Sequence, residues 1–149
     1  MNNKKIYIGS DHAGFFLKEK IKRWLEKHQI AYQDLGNLRL NPKDDYPDYA
    51  QAVANAVIKH KTFGILLCGS SQGVCLAANK FKGIRAVTPF SLKESRLARE
   101  HLDANIICLA GWHTHLHQAT KMIEIFLTTP FSNAPRHARR IKKIRLFER

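Results

Sequence analysis

The stretch of sequence that decides the fold is Phe63-Gly64-Ile65-Leu66-Leu67-Cys68-Gly69-Ser70-Ser71-Gln72-Gly73. Its first six residues are almost continuously apolar, which is typical of a central strand of a parallel sheet that is buried on both faces. The glycine- and serine-rich segment 69–73 then turns into a helix that we predict over residues 74–80. A buried strand, a short turn and a helix together predict one repeating unit of an α/β fold.

The same alternation of strand and helix extends in both directions from this segment. Besides the strand over residues 63–68, the pattern predicts strands over 6–9, 84–87 and 105–109 and a short strand that ends at residue 36. It predicts further helices over 14–28, 50–59, 91–101, 118–127 and 138–147. Five strands that alternate with helices predict a three-layer α/β/α sandwich with a five-stranded, mostly parallel sheet. We expect a single domain over residues 1–149, ending in a basic helix of about residues 134–149.

The composition is that of a globular protein, with 149 residues of which 44% are hydrophobic and 25% charged. No stretch approaches the roughly 20 apolar residues that span a bilayer, and residues 1–5 contain no apolar signal-peptide region. We therefore expect a cytoplasmic protein with no membrane partner. Its cysteines, Cys68, Cys75 and Cys108, form no C-x-x-C pair, so a disulfide scaffold or a structural zinc site is not expected.

The formal net charge of +13 favours anionic partners, which are small phosphates, nucleic acid or solvent counterions. Many of the cations lie in the C-terminal segment. A nucleic-acid surface there would need aromatic side chains between the basic ones, and Phe147 is the one aromatic residue in that helix. A nucleic-acid-binding module therefore remains an alternative of a different class, and no nucleic-acid partner is expected.

Polar residues follow two of the predicted strands, at Ser10-Asp11-His12 and at Cys68-Gly69-Ser70. Ligands of such sheets bind at the carboxyl ends of the strands, so both segments are candidates for one site. Amide groups of a Gly/Ser loop favour a thiolate, which makes Cys68 a candidate base or nucleophile. The alternative is a small buried hydrophobic residue, as most cysteines are.

The loop of Gly69, Ser70, Ser71, Gln72 and Gly73 lacks both G-x-x-x-x-G-K-[ST] and G-x-G-x-x-G. Nucleoside triphosphates and dinucleotides are therefore not expected as ligands. Two interpretations remain open, a backbone cradle for a smaller anion and an ordinary turn between strand and helix.

Four further groups have a functional and a structural interpretation. Asp11 and His12 suit a hydroxyl and a phosphate, or Asp11 caps the first helix. His101 is either an acid/base or a favourable charge at a helix end. The cations of Arg136-His137-x-x-Arg140 suit phosphate oxygens or form a solvated helix face. The histidines of His113-x-His115-x-His117 have metal-like spacing, but the segment is not strand-like and we expect no metal site.

Seven motifs together resemble one known family. They are residues 8–15 (IGSDHAGF), 45–50 (DYPDYA), 64–69 (GILLCG), 77–80 (AANK), 83–86 (GIRA), 95–101 (SRLAREH) and 136–140 (RHARR). In this order, and over nearly the whole length, they resemble the ribose-5-phosphate isomerase B family, which also includes the galactose-6-phosphate isomerase subunits.

The resemblance implies a Rossmann-like sheet and an aldose–ketose isomerase that uses no cofactor and no metal, and whose sites lie at a homodimer interface. A tetramer is also compatible with it. By motif matching, Cys68 is the base that moves a proton between C1 and C2, and His101 assists ring opening. Asp11 and Tyr46 contact sugar oxygens, and the amides of residues 69–73, including Gly69, Ser70, Ser71 and Gly73, stabilise the oxyanion. The phosphate is held by His12, Arg136, His137 and Arg140.

Three positions depart from the family pattern. Ser71 stands where a glycine is usual, Leu102 where an asparagine follows the histidine, and Trp112 where members often carry an arginine. These changes keep a six-carbon aldose phosphate, such as allose or galactose 6-phosphate, as an alternative substrate to ribose 5-phosphate. They also leave open a sugar-phosphate-binding paralogue without catalysis.

Overall fold

The computed structural model describes residues 5–148, so the expectations for residues 1–4 and for Arg149 lie outside the described residues. Within them the strands are β1 (Ile6–Ser10), β2 (Tyr32–Asp34), β3 (Gly64–Cys68), β4 (Ala86–Val87) and β5 (Ile106–Ala110). The helices are α1 (Phe15–Lys27), α2 (Tyr46–His60), α3 (Gln72–Ala78), α4 (Leu92–Leu102), α5 (Leu116–Thr128) and α6 (Pro135–Arg145).

The predicted fold class is confirmed. The strands form one sheet in the order β2-β1-β3-β5-β4, and every neighbouring pair is parallel. The chain therefore moves outward from β1 to β2 and then crosses to β3 on the other side of β1. Because the order reverses between β1 and β3, their carboxyl ends border the crevice in which such sheets bind ligands.

The core lies on both faces of the sheet, since successive side chains of β3 point in opposite directions. Ile65 and Leu67 belong to an apolar cluster with residues of α1, α4 and α5. Leu66 and Cys68 belong to a second cluster with residues of α2 and α3. This arrangement is the predicted three-layer sandwich.

Four predicted helix starts are wrong, by two to four residues, and one of them is that of α5, which begins at Leu116 and not at residue 118. Helix α2 begins at Tyr46 and not at residue 50, and α6 begins at Pro135 and not at residue 138. Helices α2 and α6 both have a proline in the first turn, where a backbone N–H has no partner within the helix, so the missing N–H of proline costs no hydrogen bond. Helix α3 begins at Gln72, before the predicted Val74. No helix within residues 5–148 is long and apolar enough to cross a membrane.

Candidate active site

The structure brings together the two polar segments that follow β1 and β3. Ser10 pairs with Leu67 in the parallel register, so Asp11 and Cys68 are the next residues along the two neighbouring strands. Neighbouring strands are about 4.8 Å apart, which places both side chains at one edge of the sheet. This edge borders the crevice described above, at the switch point where the strand order reverses between β1 and β3.

Cys68 is the last residue of β3, and its side chain belongs to the apolar cluster under α2 and α3. The residue is 4% exposed in the single chain, so its sulfur is largely covered by neighbouring side chains. Its carbonyl oxygen accepts the amide of Gly111 at 2.8 Å, which fixes the strand end against the turn after β5. The thiol therefore lies at the inner end of the candidate site.

The loop after Cys68 presents backbone amides. Within residues 5–148, no acceptor is found for the amide groups of residues 70–74. Ser71 has a φ of 66°, in the left-handed region that favours glycine, and its hydroxyl donates to the Ser70 carbonyl oxygen. A cluster of unpaired amide donors next to a thiol can hold an anion or a negatively charged oxygen.

Two aromatic rings border this loop. A Cβ atom on Gly73 would lie 2.6 Å from Cζ of Tyr46, and one on Gly69 would lie 2.5 Å from ring atoms of Trp112. Only a glycine at each position leaves room for these rings. Trp112 is 68% exposed, and its amide donates to the Gly69 carbonyl oxygen at 3.1 Å. Trp112 thus lies beside the site, although the sequence indicated only that it departs from the family.

His12 is held by a carboxylate that the sequence analysis missed. Its Nδ1 atom lies 2.7 Å from Oδ1 of Asp44, which also accepts the His12 amide at 3.0 Å. The other oxygen of Asp44 accepts from Nδ2 of Asn37 at 2.7 Å and from the Tyr49 hydroxyl at 3.1 Å. The hydrogen bond to Asp44 raises the pKa of His12. The ring therefore carries a positive charge to higher pH than a free histidine.

The carboxylate of Asp44 stays ionised. Burial raises its pKa, but the hydrogen bonds from the His12 amide and ring and from Tyr49 outweigh that effect, so the pKa is lowered overall. Its only signal in the sequence is its place in the polar loop before Tyr46. Nothing in the sequence pairs it with a histidine 32 residues away.

Asp11 lies in the turn that leads into α1. Its Oδ1 accepts the amide of Gly14 at 3.1 Å, so it stabilises this turn, whereas the N-cap of the helix is Gly14 itself, which offers no side-chain cap. The side chain is nevertheless at the carboxyl end of β1, and the residue is 5% exposed. Burial raises its pKa. A carboxyl group with a raised pKa suits hydrogen bonding to a neutral hydroxyl of a ligand.

The remaining candidates form a second cluster. The ring of His101, near the end of α4, lies 4.1 Å from that of His137 in α6, centroid to centroid. His137 Nδ1 is 2.8 Å from the Ser132 hydroxyl, and Arg136 Nε donates to its Nε2 at 3.2 Å. Burial lowers the pKa of His137, and the charges of His101, Arg136 and Arg140 lower it further. The cluster is therefore a neutral imidazole surrounded by cations.

The structure does not bring this second cluster to Cys68 within one chain. Helix α4 runs back along the sheet, and the Arg85 side chain, which precedes β4, donates to the carbonyl oxygen of Leu102 at 3.0 Å. The amide of Gly64 at the start of β3 donates to Asn105 just beyond. His101 therefore lies at the amino ends of the strands, whereas Cys68 lies at the carboxyl ends, a five-residue strand or roughly 16 Å away.

The histidines at 113, 115 and 117 lie in the turn after β5 and at the start of α5. Within residues 5–148, no three His, Cys, Asp or Glu side chains are grouped so that they could hold a metal ion.

Comparisons with known proteins agree with this geometry. A family described as Ribose/Galactose Isomerase matches residues 6–144. Ribose-5-phosphate isomerase B of Mycolicibacterium paratuberculosis is 39% identical, over 97% of this chain and 92% of that protein.

Two solved structures are similarly close. The ribose 5-phosphate isomerase of Thermotoga maritima has a TM-score of 0.92 and 43% identity, covering 95% of this chain and 97% of that one. Ribose-5-phosphate isomerase B of Mycoplasma genitalium, solved with bound ribulose-5-phosphate, has a TM-score of 0.91 and 42% identity, covering 97% and 95%. The chain therefore belongs to the ribose/galactose isomerase family.

Proposed function

We propose that the protein interconverts ribose 5-phosphate and ribulose 5-phosphate by moving a proton between C1 and C2 through an enediolate. The family membership and the names of the relatives support this activity. The structural observation that carries it is the position of Cys68 beside the unpaired amides of residues 70–74, at the switch point of the sheet. The proton moves within the substrate, so the reaction needs no cofactor.

In this mechanism the Cys68 thiolate removes the proton from the carbon next to the carbonyl group, and returns it to the other carbon. The amides of residues 70–74 donate to the oxygen on which negative charge develops. A positioned base contributes roughly 10²–10⁴-fold to such a reaction, and an oxyanion donor roughly 10²–10³-fold. The covered position of the sulfur excludes water, which strengthens these interactions.

The other residues bind and orient the sugar phosphate. Asp11 and Tyr46 contact sugar oxygens, and His12, positively charged through Asp44, pairs with the phosphate. His101 transfers the proton that opens the furanose ring. Arg136 and Arg140, with His137 between them, supply the remaining phosphate contacts, because forked guanidinium donors match phosphate oxygens.

We further propose that two copies of the chain assemble each site in a homodimer. His101 and Cys68 lie at opposite ends of the sheet, so a substrate of this size cannot touch both in one chain. A groove of about 430 Å³ beside His101 is lined by apolar side chains, including Phe90 and Leu102, which are 63% and 43% exposed. Exposed apolar surface of this kind marks an interaction site. A second chain that covers it would bring its own Cys68 end to His101.

We also place the enzyme in the cytoplasm. All three cysteines, at positions 68, 75 and 108, are free thiols, as is usual in a reducing compartment. Cys68, the proposed base, also needs a reducing environment, because a sulfur that is oxidised to a disulfide cannot accept a proton.

The function is tested by an assay of the purified protein with ribose 5-phosphate, allose 6-phosphate and galactose 6-phosphate. We expect the highest kcat/KM for ribose 5-phosphate, and we expect Cys68→Ala to abolish turnover while its circular dichroism and melting temperature stay close to wild type. Cys75→Ala, the partly buried thiol on α3, is the matched control and should retain activity. Turnover by Cys68→Ala at the wild-type rate would rule out the proposed base, and absence of turnover on all three sugars would rule out the isomerase.

A further inference from the structure

A basic cavity lies at the amino ends of the strands, at the opposite end of the sheet from Cys68. Its volume is about 550 Å³, and its charged lining residues are Lys61, Arg85, Arg99, Arg145 and Asp103. They come from the end of α2, the segment before β4, α4 and its C-cap, and the last turn of α6. None of the residues assigned above to catalysis or to substrate binding lines it.

Among residues 5–148, Asp103 is the one carboxylate that lines the cavity, and it is shared by two arginines; the carboxylate of Glu148 lies beside the wall, where it accepts the amide of Gly83 at 3.0 Å. Asp103 accepts from Nη2 of Arg85 at 2.8 Å and from Nη1 of Arg99 at 2.9 Å. Three arginines of the wall, Arg85, Arg99 and Arg145, thus lie around this carboxylate. Burial lowers the pKa of Arg85. Asp103 raises this pKa, whereas the charges of Arg145 and Arg99 lower it, and the overall direction is downward. The cavity therefore carries an excess of positive charge.

Several guanidinium groups in the wall still have donors to offer. Arg99 is buried and uses Nε and Nη1 for protein acceptors, and Arg85 uses Nε and Nη2. Within residues 5–148, no acceptor is found for Nη2 of Arg99, for Nη1 of Arg85 or for the guanidinium group of Arg145. Forked donors of this kind bind phosphate oxygens in pairs.

The opposite part of the wall is apolar, with Val57, Ile58 and Phe63. The Arg99 guanidinium group lies over the Phe63 ring, 4.7 Å from its centroid, so the cationic and the apolar surfaces are adjacent. A ligand that fits both carries an anionic group on a small carbon body. We propose that this cavity is a second binding site, for a small organic phosphate, with Arg145, Arg85 and Arg99 on the phosphate and the apolar wall on the carbon body.

The test uses full-length protein and isothermal titration with phenyl phosphate and with inorganic phosphate at low ionic strength. The background is the Arg140→Gln variant that also carries Arg136→Gln and His12→Gln, which removes the cationic side chains proposed to hold the phosphate at the active site, so that the cavity is measured alone. In this background we expect one phenyl phosphate per chain, bound more tightly than inorganic phosphate because of the apolar wall. Adding Arg145→Gln should weaken phenyl phosphate at least tenfold, because it removes cationic donors without touching the Arg85–Asp103–Arg99 contacts.

Lys142→Gln is the matched control, since it removes an exposed cation from the same helix outside the cavity. It should leave the affinity within about twofold, because an exposed charge in solvent contributes little. Equal weakening by Arg145→Gln and Lys142→Gln would show general counterion attraction and overturn the proposal, as would the absence of binding in the background that carries the three active-site substitutions. The proposal does not rest on the isomerase activity. Arg145→Gln should leave kcat/KM for ribose 5-phosphate unchanged, so a protein that binds phenyl phosphate here without turnover would refute the activity alone.

Discussion

One oxygen of Asp44 holds His12 twice, accepting its backbone amide at 3.0 Å and lying 2.7 Å from its Nδ1 atom. The carboxylate therefore fixes both the position of the residue and the orientation of its ring. It leaves Nε2 as the atom with which His12 meets a ligand. It also raises the pKa of the ring, so the charge on His12 depends on Asp44.

We predict that Asp44→Asn changes how KM for the sugar phosphate depends on pH. The raised pKa keeps wild-type His12 positively charged at a pH where the variant's ring is neutral. KM of the variant should thus rise several-fold relative to wild type at about pH 8 and converge with it near pH 6, around the ordinary histidine pKa of about 6.5. Asp48→Asn, an exposed carboxylate on α2, is the control. A ratio of KM values that stays constant over this range would contradict the role.

We predict that a mixture of two inactive variants recovers activity. In a homodimer with shared sites, Cys68→Ala and Arg140→Gln damage different halves of each site. Co-expressed chains that pair at random should give about a quarter of the wild-type activity, because half of the dimers are hybrids with one intact site. Each variant alone, and a mixture prepared without subunit exchange, should stay inactive. No recovery in purified hybrid dimers would place the complete site in one chain.

Ser71 has a φ of 66°, and we predict that its substitution by a β-branched residue destabilises the fold. Ser71→Val should cost about 2 kcal/mol, because such a residue is strained in the left-handed region. For a protein of this size that cost corresponds to roughly 4–8 °C in Tm. Ser71→Gly should keep Tm close to wild type, since glycine relieves the strain but loosens the unfolded chain. Ser70→Val, at the exposed neighbouring position, is the control, and an equal loss there would contradict the explanation.

The buried ion pair of Lys18 and Asp34 should govern stability at low pH. Lys18 is fully buried, and its Nζ atom lies 2.5 Å from Oδ2 of Asp34 and donates to the Asn37 carbonyl oxygen at 2.8 Å. Burial raises the pKa of Asp34, but hydrogen bonds from Lys18, Lys22 and Gly36 outweigh it and lower the pKa overall. Asp34→Asn should cost on the order of 3 kcal/mol at neutral pH, because the buried Lys18 then keeps Glu19, at 3.2 Å, as its one carboxylate among residues 5–148, and Glu19 is already shared with Lys22.

The pH dependence has a definite sign. A carboxylate with a lowered folded-state pKa contributes stability above its unfolded pKa of about 3.9 and loses it as the pH falls through the folded value. Urea denaturation of wild type and Asp34→Asn should therefore differ most at neutral pH and converge below about pH 4. Asp48→Asn should differ little from wild type throughout. A difference that persists undiminished in acid would contradict the ion pair's role.

Much of the fold and half of the site were predictable because they depend on local patterns. The apolar run before Cys68 defined the central strand, and the rule for carboxyl ends of parallel strands placed Asp11 beside it. The opposite position of His101 follows from the same alternation, because a helix between parallel strands must return the chain to their amino ends. The return of the chain through α4 separates the cluster around His101 from Cys68, although motif matching alone had assigned both to one site.

The contacts of Asp44 and Trp112 were not predictable, because they join residues far apart in the sequence and depend on loops. Asp44 reaches His12 only after the segment from β2 to α2 folds over the end of β1. Trp112 reaches Gly69 through the turn after β5, whose backbone is held by hydrogen bonds from the amides of Gly111 and Trp112 to the carbonyl oxygens of Cys68 and Gly69. No periodicity in the sequence encodes either approach.

The indole of Trp112, resting on Gly69, also gives this chain its own optical reporter. The other tryptophan, Trp24, lies on α1 against His28, with the ring centroids 4.6 Å apart, and belongs to a different part of the molecule. An anion that settles on the neighbouring amides changes the surroundings of the first indole and leaves those of the second alone. We therefore expect emission from the unlabelled protein to report binding at this loop, with Trp24 as a constant background.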